Sequence, residues 1–185
     1  MINVLYVIVG NTCSGKTTLQ KELVRLTGIK PLITYTNRPM RDNEVEGQDY
    51  FFISTKEIES PMYVNKRYFY TIHDVNPYIY GIHYDDLKDE EDKIAILDPP
   101  GVYNLRSLLG EENLKTMYLD IPEKIIKERA ELRGDEEAEI ERRLEDDRPG
   151  FESIKDDCDL ILTPLSGDIT STAYKFIQGG NNNEL

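Results

Sequence analysis

Apolar positions in this chain fall into short runs that alternate with helical stripes. Val4 to Val9 is unbroken apolar sequence, the pattern of a strand buried on both faces. After a short loop, Leu19, Leu23, Val24 and Leu26 recur at helical spacing. Lys93 to Asp98, Leu114 to Leu119 and Asp159 to Leu162 read as further strands, with shorter ones at Pro31 to Thr36 and Tyr50 to Ile53. Ser54 and Glu57 have the spacing of a capping box that opens a short helix. Pro122 suits the first residue of a helix that Gly134 interrupts. The helical pattern resumes from about Glu136 to Arg148 and is expected to stop at Pro149-Gly150. A last helix is predicted from Ile169 to Ile177, and the polar residues 179–185 are expected to be disordered.

Strands alternating with helices predict an α/β fold: three layers, a parallel sheet at the core, and a ligand at the carboxyl ends of the strands. One segment breaks the alternation. Asn37 to Asp49 is polar and turn-rich, and Tyr63 to Tyr84 is β-like, with six of the chain's twelve tyrosines. Pro77 and Gly81 divide it into hairpin-sized pieces. The stretch from Arg38 to Asp86 therefore reads as an inserted, mostly β lobe, and Asp85 to Asp92 as a solvated helix end and turn.

The loop after the first strand carries the first chemical signal. Gly10, Asn11, Thr12, Cys13, Ser14, Gly15, Lys16, Thr17 and Thr18 contain G-x-x-x-x-G-K-[ST] at a strand-to-helix junction. Such a loop turns its N–H groups onto a phosphate at the positive end of a helix. Lys16 then reaches the outer phosphates and the Thr17 hydroxyl serves Mg²⁺. The sequence predicts a nucleoside triphosphate site.

Composition narrows this. At 185 residues the chain suits one α/β domain, and its net charge of −13 argues against a nucleic-acid surface. No run is long enough for a membrane span, the start lacks a signal peptide's pattern, and two distant cysteines make no disulfide framework. A cytoplasmic location is expected. On an acidic background, a polyphosphate site must be made basic locally. Five of the ten arginines lie between Arg129 and Arg148, and Arg38 and Arg41 form another pair. The later cluster, interleaved with glutamates, equally fits a solvated helix.

The string Asn37-Arg38-Pro39-Met40-Arg41-Asp42-Asn43-Glu44-Val45-Glu46-Gly47-Gln48-Asp49-Tyr50-Phe51-Phe52 resembles the guanylate kinase family, whose pattern is T-R-x-x-R-x-x-E-x-x-G-x-D-Y-x-F. Only the first Thr is altered, to Asn37. Tyr80-Gly81, Asp98 with Gly101-Val102, and Arg133-Gly134 followed by Arg142-Arg143-Leu144 extend the likeness over residues 2 to 177.

The resemblance implies phosphoryl transfer from Mg·ATP to a nucleoside monophosphate, with GMP or dGMP as the leading acceptor. Small nucleotides are then the partners, with no nucleic acid or membrane, in a monomer or homodimer. It implies that Arg38, Arg41, Tyr50, Tyr80 and Thr34 hold the acceptor phosphate, with Glu44 in the same acceptor site. Lys16, Arg133 and Arg143 would surround the donor phosphates, and Asp98 would join Thr17 near Mg²⁺. A single domain of residues 1–178 is expected, with a core of 1–33, 93–128 and 149–178, an acceptor lobe of about 34–86 and a lid of about 129–148. Plainer readings stand beside these: Asp98 as a helix cap, Tyr80 as a strand aromatic, and His73 and His83 as surface or packing residues. Arg142 and Arg143 cannot both point inward from one helix, and Arg143 is favoured because it precedes the apolar Leu144.

The sequence departs from the family where the base is read. The family has a Glu nine residues before the Tyr-Gly tyrosine and a small hydroxyl residue after that Gly, whereas this chain has Thr71 and Ile82. Asp74 is the nearest carboxylate. Asp98-Pro99-Pro100-Gly101 also runs about two residues short and lacks the family's second Asp. Cys13 stands where the family usually has Gly. A kinase for another nucleotide or a small sugar phosphate is the enzymatic alternative, and a non-catalytic protein-binding module the rival from another class.

Overall fold

The computed structural model describes residues 2–42, 44–58, 68–72 and 78–179. Its strands are β1 (Leu5–Val9), β2 (Lys30–Pro31), β3 (Tyr35–Thr36), β4 (Phe51–Phe52), β5 (Tyr68–Ile72), β6 (Ile79–His83), β7 (Lys93–Ile96), β8 (Leu114–Leu119) and β9 (Leu160–Leu162). Its α-helices are α1 (Lys16–Thr27), α2 (Thr55–Ile58), α3 (Pro99–Leu109), α4 (Glu123–Arg133), α5 (Glu137–Asp156) and α6 (Ile169–Ile177). Among the described residues no helix is long and apolar enough to cross a membrane.

The strands form two sheets. A five-stranded parallel sheet has the order β2-β7-β1-β8-β9, with Leu5 of β1 opposite Lys93 on one side and Leu114 on the other. Strand β1 is central, so its alternate side chains feed two cores. Leu5, Val7 and Val9 pack with Val102 and Leu105 of α3 and Phe151 and Ile154 of α5. Tyr6 and Ile8 pack with Leu19 and Leu23 of α1, Ile126 of α4 and Ala173 and Ile177 of α6. The loop after β1 thus emerges from the most constrained part of the fold.

The second sheet has the order β4-β3-β6-β5 and pairs antiparallel except between β3 and β4. It is the lobe that breaks the alternation. Ile82 and Leu87 enter the same core cluster as Leu97 and Leu105, tying the lobe to the main sheet, while β5 runs beside α3.

Two expectations need correction. The run from Pro31 to Thr36 is not one strand. Leu32 still donates to Ile94 O (2.9 Å) of the core sheet, but Thr34 O accepts from Phe51 N (2.9 Å) of the lobe. The chain changes sheets between them, and Thr34 sits at the crossing. The helical pattern also does not stop at Pro149-Gly150: α5 runs through both to Asp156. An interior proline costs a helix about 3 kcal/mol. Continuing the helix places Phe151 and Ile154 at 8% and 0% exposure in the core. Burial of two such side chains is worth about 3–6 kcal/mol, enough to offset the proline.

Smaller features agree with the sequence more closely. The capping box forms, with Glu57 N donating to Ser54 Oγ (3.2 Å) and Ser54 N to Glu57 Oε2 (2.7 Å). Pro122 is the residue before α4 rather than its first residue. His73, Asp74, Pro77 and residues 180–185 lie outside the described residues.

Candidate active site

The loop between β1 and α1 has little freedom. A Cβ on Gly10 would stand 2.8 Å from Leu119 O, so only glycine lets the loop leave the sheet here. Gly15 opens α1 from the left-handed region at φ 102°, and Cys13, with φ 53°, also lies there. That conformation costs a non-glycine residue about 1–2 kcal/mol and is sustained by the loop around it. Ser14 Oγ is buried with no partner among the described residues. Replacing Ser14 with alanine removes an unsatisfied hydroxyl and should stabilise the fold by about 1 kcal/mol in urea melts; a loss of stability would contradict this.

Lys16 folds back over the loop, donating to Gly10 O (2.7 Å) and Asn11 O (2.6 Å). Desolvation lowers its pKa to about 8; Cys13 and Asp147 oppose the shift, while the charges of Arg133 and Arg41 add to it. From the other side, Arg129 of α4 donates to Ser14 O (2.7 Å) and Cys13 O (3.4 Å), bracing the loop. Arg129 was not singled out from the sequence, although its spacing from Arg133 puts both on one helix face.

The second basic group lies on the lobe. Arg38 is only 7% exposed. Its Nη1 and Nη2 pair with Glu44 (2.9 and 2.6 Å), and Nη1 also donates to Pro39 O (2.7 Å). The Tyr80 hydroxyl hydrogen-bonds the same guanidinium, which lies 5.3 Å from the centre of the Tyr50 ring. Burial pushes the Tyr50 pKa up to about 12, so its hydroxyl stays a proton donor. Glu44 also accepts from the Arg41 backbone N–H (2.8 Å). Burial works to raise the Glu44 pKa, but the bonds from Arg38 and Arg41 outweigh it and hold the carboxyl below its usual range. Arg41 shows what the site lacks. Its pKa is lowered, first by desolvation and then by the charges of Arg38 and Arg133, with a smaller part from Arg143. Like charges gathered this way mark a site for anions.

Both groups open onto one cavity of about 1100 Å³. Gly10, Thr12, Cys13, Ser14, Gly15, Lys16, Thr17 and Thr18 line its loop end. Thr34, Arg38, Arg41, Glu44, Tyr50, Tyr80 and Ile82 line the lobe side, and Asp98, Arg133, Arg142 and Arg143 also reach it, so both adjacent arginines border the cavity although the sequence expects only one to point inward. Of the other expected residues, Asn11 contributes its carbonyl to Lys16, and Thr71 stands opposite Tyr80 in the β5–β6 register. Asn104, an exposed residue of α3, lines the same cavity with no hydrogen-bond partner among the described residues.

Asp98 does cap a helix, its Oδ1 accepting from Gly101 N (2.8 Å), and it faces the cavity as well. Among the described residues there is no cluster of three or more His, Cys, Asp or Glu that could hold a metal alone. A threonine hydroxyl and one carboxylate fit Mg²⁺, which keeps much of its coordination for water and substrate phosphates. His83 is a packing residue: it is buried, and its Nδ1 accepts from Asp85 N (3.1 Å).

Across the cavity, Arg133 pairs through Nε with Asp135 (2.6 Å), and Asp135 also receives the Cys13 thiol at 3.8 Å. Arg142 spends Nε and Nη2 on Glu139 (2.9 Å each) and Nη1 on Asp146 (2.7 Å). Arg143 gives only its Nε to Glu139 (2.7 Å).

The family model for guanylate kinase matches residues 3–172. The chain belongs to the guanylate kinase family. It is thereby an enzyme of the nucleoside monophosphate kinase class. The guanylate kinase of Polaromonas sp. is 29% identical over 147 residues, covering 76% of this chain and 69% of that protein. The guanylate kinase of Chlorobium chlorochromatii is 27% identical over 184 residues, covering 89% and 90%. Among solved structures, guanylate kinase from Anaplasma phagocytophilum matches with a TM-score of 0.68 at 19% identity, over 96% of this chain and 85% of that one, which supports the fold. Within this guanylate kinase fold, Ile82, 3% exposed, is packed into the core cluster.

Proposed function

We propose that this enzyme transfers the γ-phosphoryl group of Mg·ATP to GMP or dGMP. One observation carries the reading: a phosphate-binding loop and an arginine pair with its own carboxylate and tyrosines share one cavity. The acceptor phosphate is already ionised, so its oxygen attacks without a strong general base. The protein's work is to align two anions and offset their charge. Arg38, held rigid by Glu44, and Arg41 grip the acceptor phosphate, with the Tyr50 and Tyr80 hydroxyls as further donors. The loop N–H groups and Lys16 hold the β- and γ-phosphates of the donor, and Arg133 and Arg143 approach the transferring group. Thr17 and Asp98 would hold Mg²⁺, which when bound offsets charge on the donor phosphates. The lobe of about 34–86 and the lid of about 129–148 are the parts that close, excluding water before transfer. Nucleotide substrates of this kind suit a cytoplasmic enzyme, monomeric or homodimeric.

Lys16 gives the reaction a pH signature. Phosphate binds the charged ammonium, which dominates below its pKa of about 8 and is lost as pH rises past it. The kcat/KM for ATP, which reports the free enzyme, should therefore fall above pH 8 by up to about tenfold per unit. A flat profile to pH 9.5 would contradict the assignment.

A second acceptor class is favoured by Ile82. An apolar, buried side chain cannot hydrogen-bond a base edge, and a site missing such a partner loses discrimination. ADP release measured with a panel of ribo- and deoxyribonucleoside monophosphates and sugar phosphates decides between them. Turnover confined to GMP and dGMP supports the first reading. Comparable turnover with other bases makes Thr71 and Ile82 determinants of a broader specificity. No turnover with any acceptor overturns both and moves the weight to a protein-binding module, which the intact loop from Gly10 to Thr17 argues against.

A further inference from the structure

Two adjacent arginines on α5 face one carboxylate, and they are used differently. Glu139 lies three residues before Arg142 and four before Arg143, so both reach it along one helix face. All three nitrogens of Arg142 are engaged: Nε and Nη2 grip Glu139, and Nη1 grips Asp146 at 2.7 Å. Arg143 donates to Glu139 through Nε alone, at 2.7 Å. Its two Nη groups have no partner among the described residues, and its side chain, like that of Arg142, lines the cavity shared with Lys16 and Arg41. A guanidinium anchored at Nε retains its terminal Nη pair, the edge that grips phosphate bidentately.

We infer that Glu139 is a positioning residue, holding Arg143 by its Nε so that the free Nη edge is presented to the transferring phosphoryl group, while Arg142 is a strut that fixes Glu139. This rests on the kinase reading for its consequence in turnover, and on geometry alone for its consequence in anion binding. The carboxylate does not compete for the phosphate, because it takes the edge of Arg143 that phosphate does not use. Glu139 is held ionised, with a pKa of about 2 set by its bonds from Arg142 and Arg143, so the anchor persists at any working pH. The arrangement also separates Arg143 from Arg142, which their adjacency in the sequence cannot do.

The test is a double-mutant cycle on the full chain. Exposed helix pairs add little to stability, so Glu139→Ala should fold with an unchanged melting temperature. Its kcat should fall about tenfold while the KM for the acceptor stays within about twofold, and Glu139→Gln, whose Oε1 still accepts from Nε, should recover most of that loss. In an Arg143→Ala background the Glu139 substitution should have no further effect. The second readout needs neither metal nor turnover. Arg143→Ala should weaken the binding of inorganic tripolyphosphate, measured calorimetrically in EDTA, about tenfold in the parent chain but less than about threefold in Glu139→Ala. A parent chain without kinase activity would fail the kinase reading and leave the binding cycle to decide. An Arg143 penalty that is the same with and without Glu139 would overturn the inference, as would a kcat loss that persists in full in the Arg143→Ala background.

Discussion

Lys16→Ala should lower turnover with Mg·ATP by about 10³-fold, the scale of losing a preorganised charge aimed at a transferring phosphate. The ammonium is held within the loop, 2.7 and 2.6 Å from the Gly10 and Asn11 carbonyls. The variant should nevertheless fold. Desolvation lowers the Lys16 pKa to about 8, so at neutral pH the fold works against the charged amine, and removing it lifts that cost. An ADP-release assay paired with a thermal melt checks both. Turnover within tenfold of the parent chain would contradict the role; loss of turnover together with unfolding would contradict the structural account.

Glu44→Ala should be the most destabilising single change in the site, by about 3 kcal/mol, because it strands a buried cation. The Arg38 and Glu44 side chains are 7% and 14% exposed, joined by two short hydrogen bonds. Pro39 O and Tyr80 remain as partners for Arg38, but neither carries a formal charge. Removing both residues should therefore cost less than removing Glu44 alone, since no unpaired charge is left behind. Urea melts of the two single variants and the double variant measure this. The acceptor KM should rise in every variant that folds, because Arg38 is either lost or freed from its anchor. A Glu44→Ala chain as stable as its parent would mean that the pair is not the frame of the acceptor site.

Much of this was legible in the sequence, for identifiable reasons. Leu114 to Leu119 and Ile169 to Ile177 have the bounds the pattern predicts, because a buried central strand and an amphipathic final helix are each set by periodicity. The loop from Gly10 to Thr18 was legible because its spacing is mechanical: one glycine must pass close to Leu119 O and another must adopt a positive φ. What failed were boundaries decided elsewhere in the fold. Pro149 should end a helix by local rules, yet the burial of Phe151 and Ile154 carries α5 through it. Pro31 to Thr36 looked like one strand because nothing local says that its hydrogen bonds go first to Ile94 and then to Phe51.

The same division holds in the site. Arg38, Arg41 and Glu44 could be named from a motif. Arg129 could not, because its bonds to the Cys13 and Ser14 carbonyls exist only once α4 lies against the loop. The apolar neighbour Leu144 favours Arg143 over Arg142 in the sequence, whereas in the fold both border the cavity and differ in their hydrogen bonds to Glu139. Ile82 was seen as a missing hydrogen bond to the base. Its place in the core with Leu97 and Leu105 adds that it also ties the lobe to the main sheet.

If the cavity brings two phosphates together for transfer, a labelled phosphoryl group must pass directly from one nucleotide to the other. Incubating the enzyme with γ-labelled Mg·ATP and GMP, then separating nucleotides from inorganic phosphate, tests it most directly. The label should move into a nucleoside diphosphate in an amount equal to the ADP formed, and this transfer should be lost in Lys16→Ala. Label released only as inorganic phosphate, at the same rate with and without an acceptor, would contradict it.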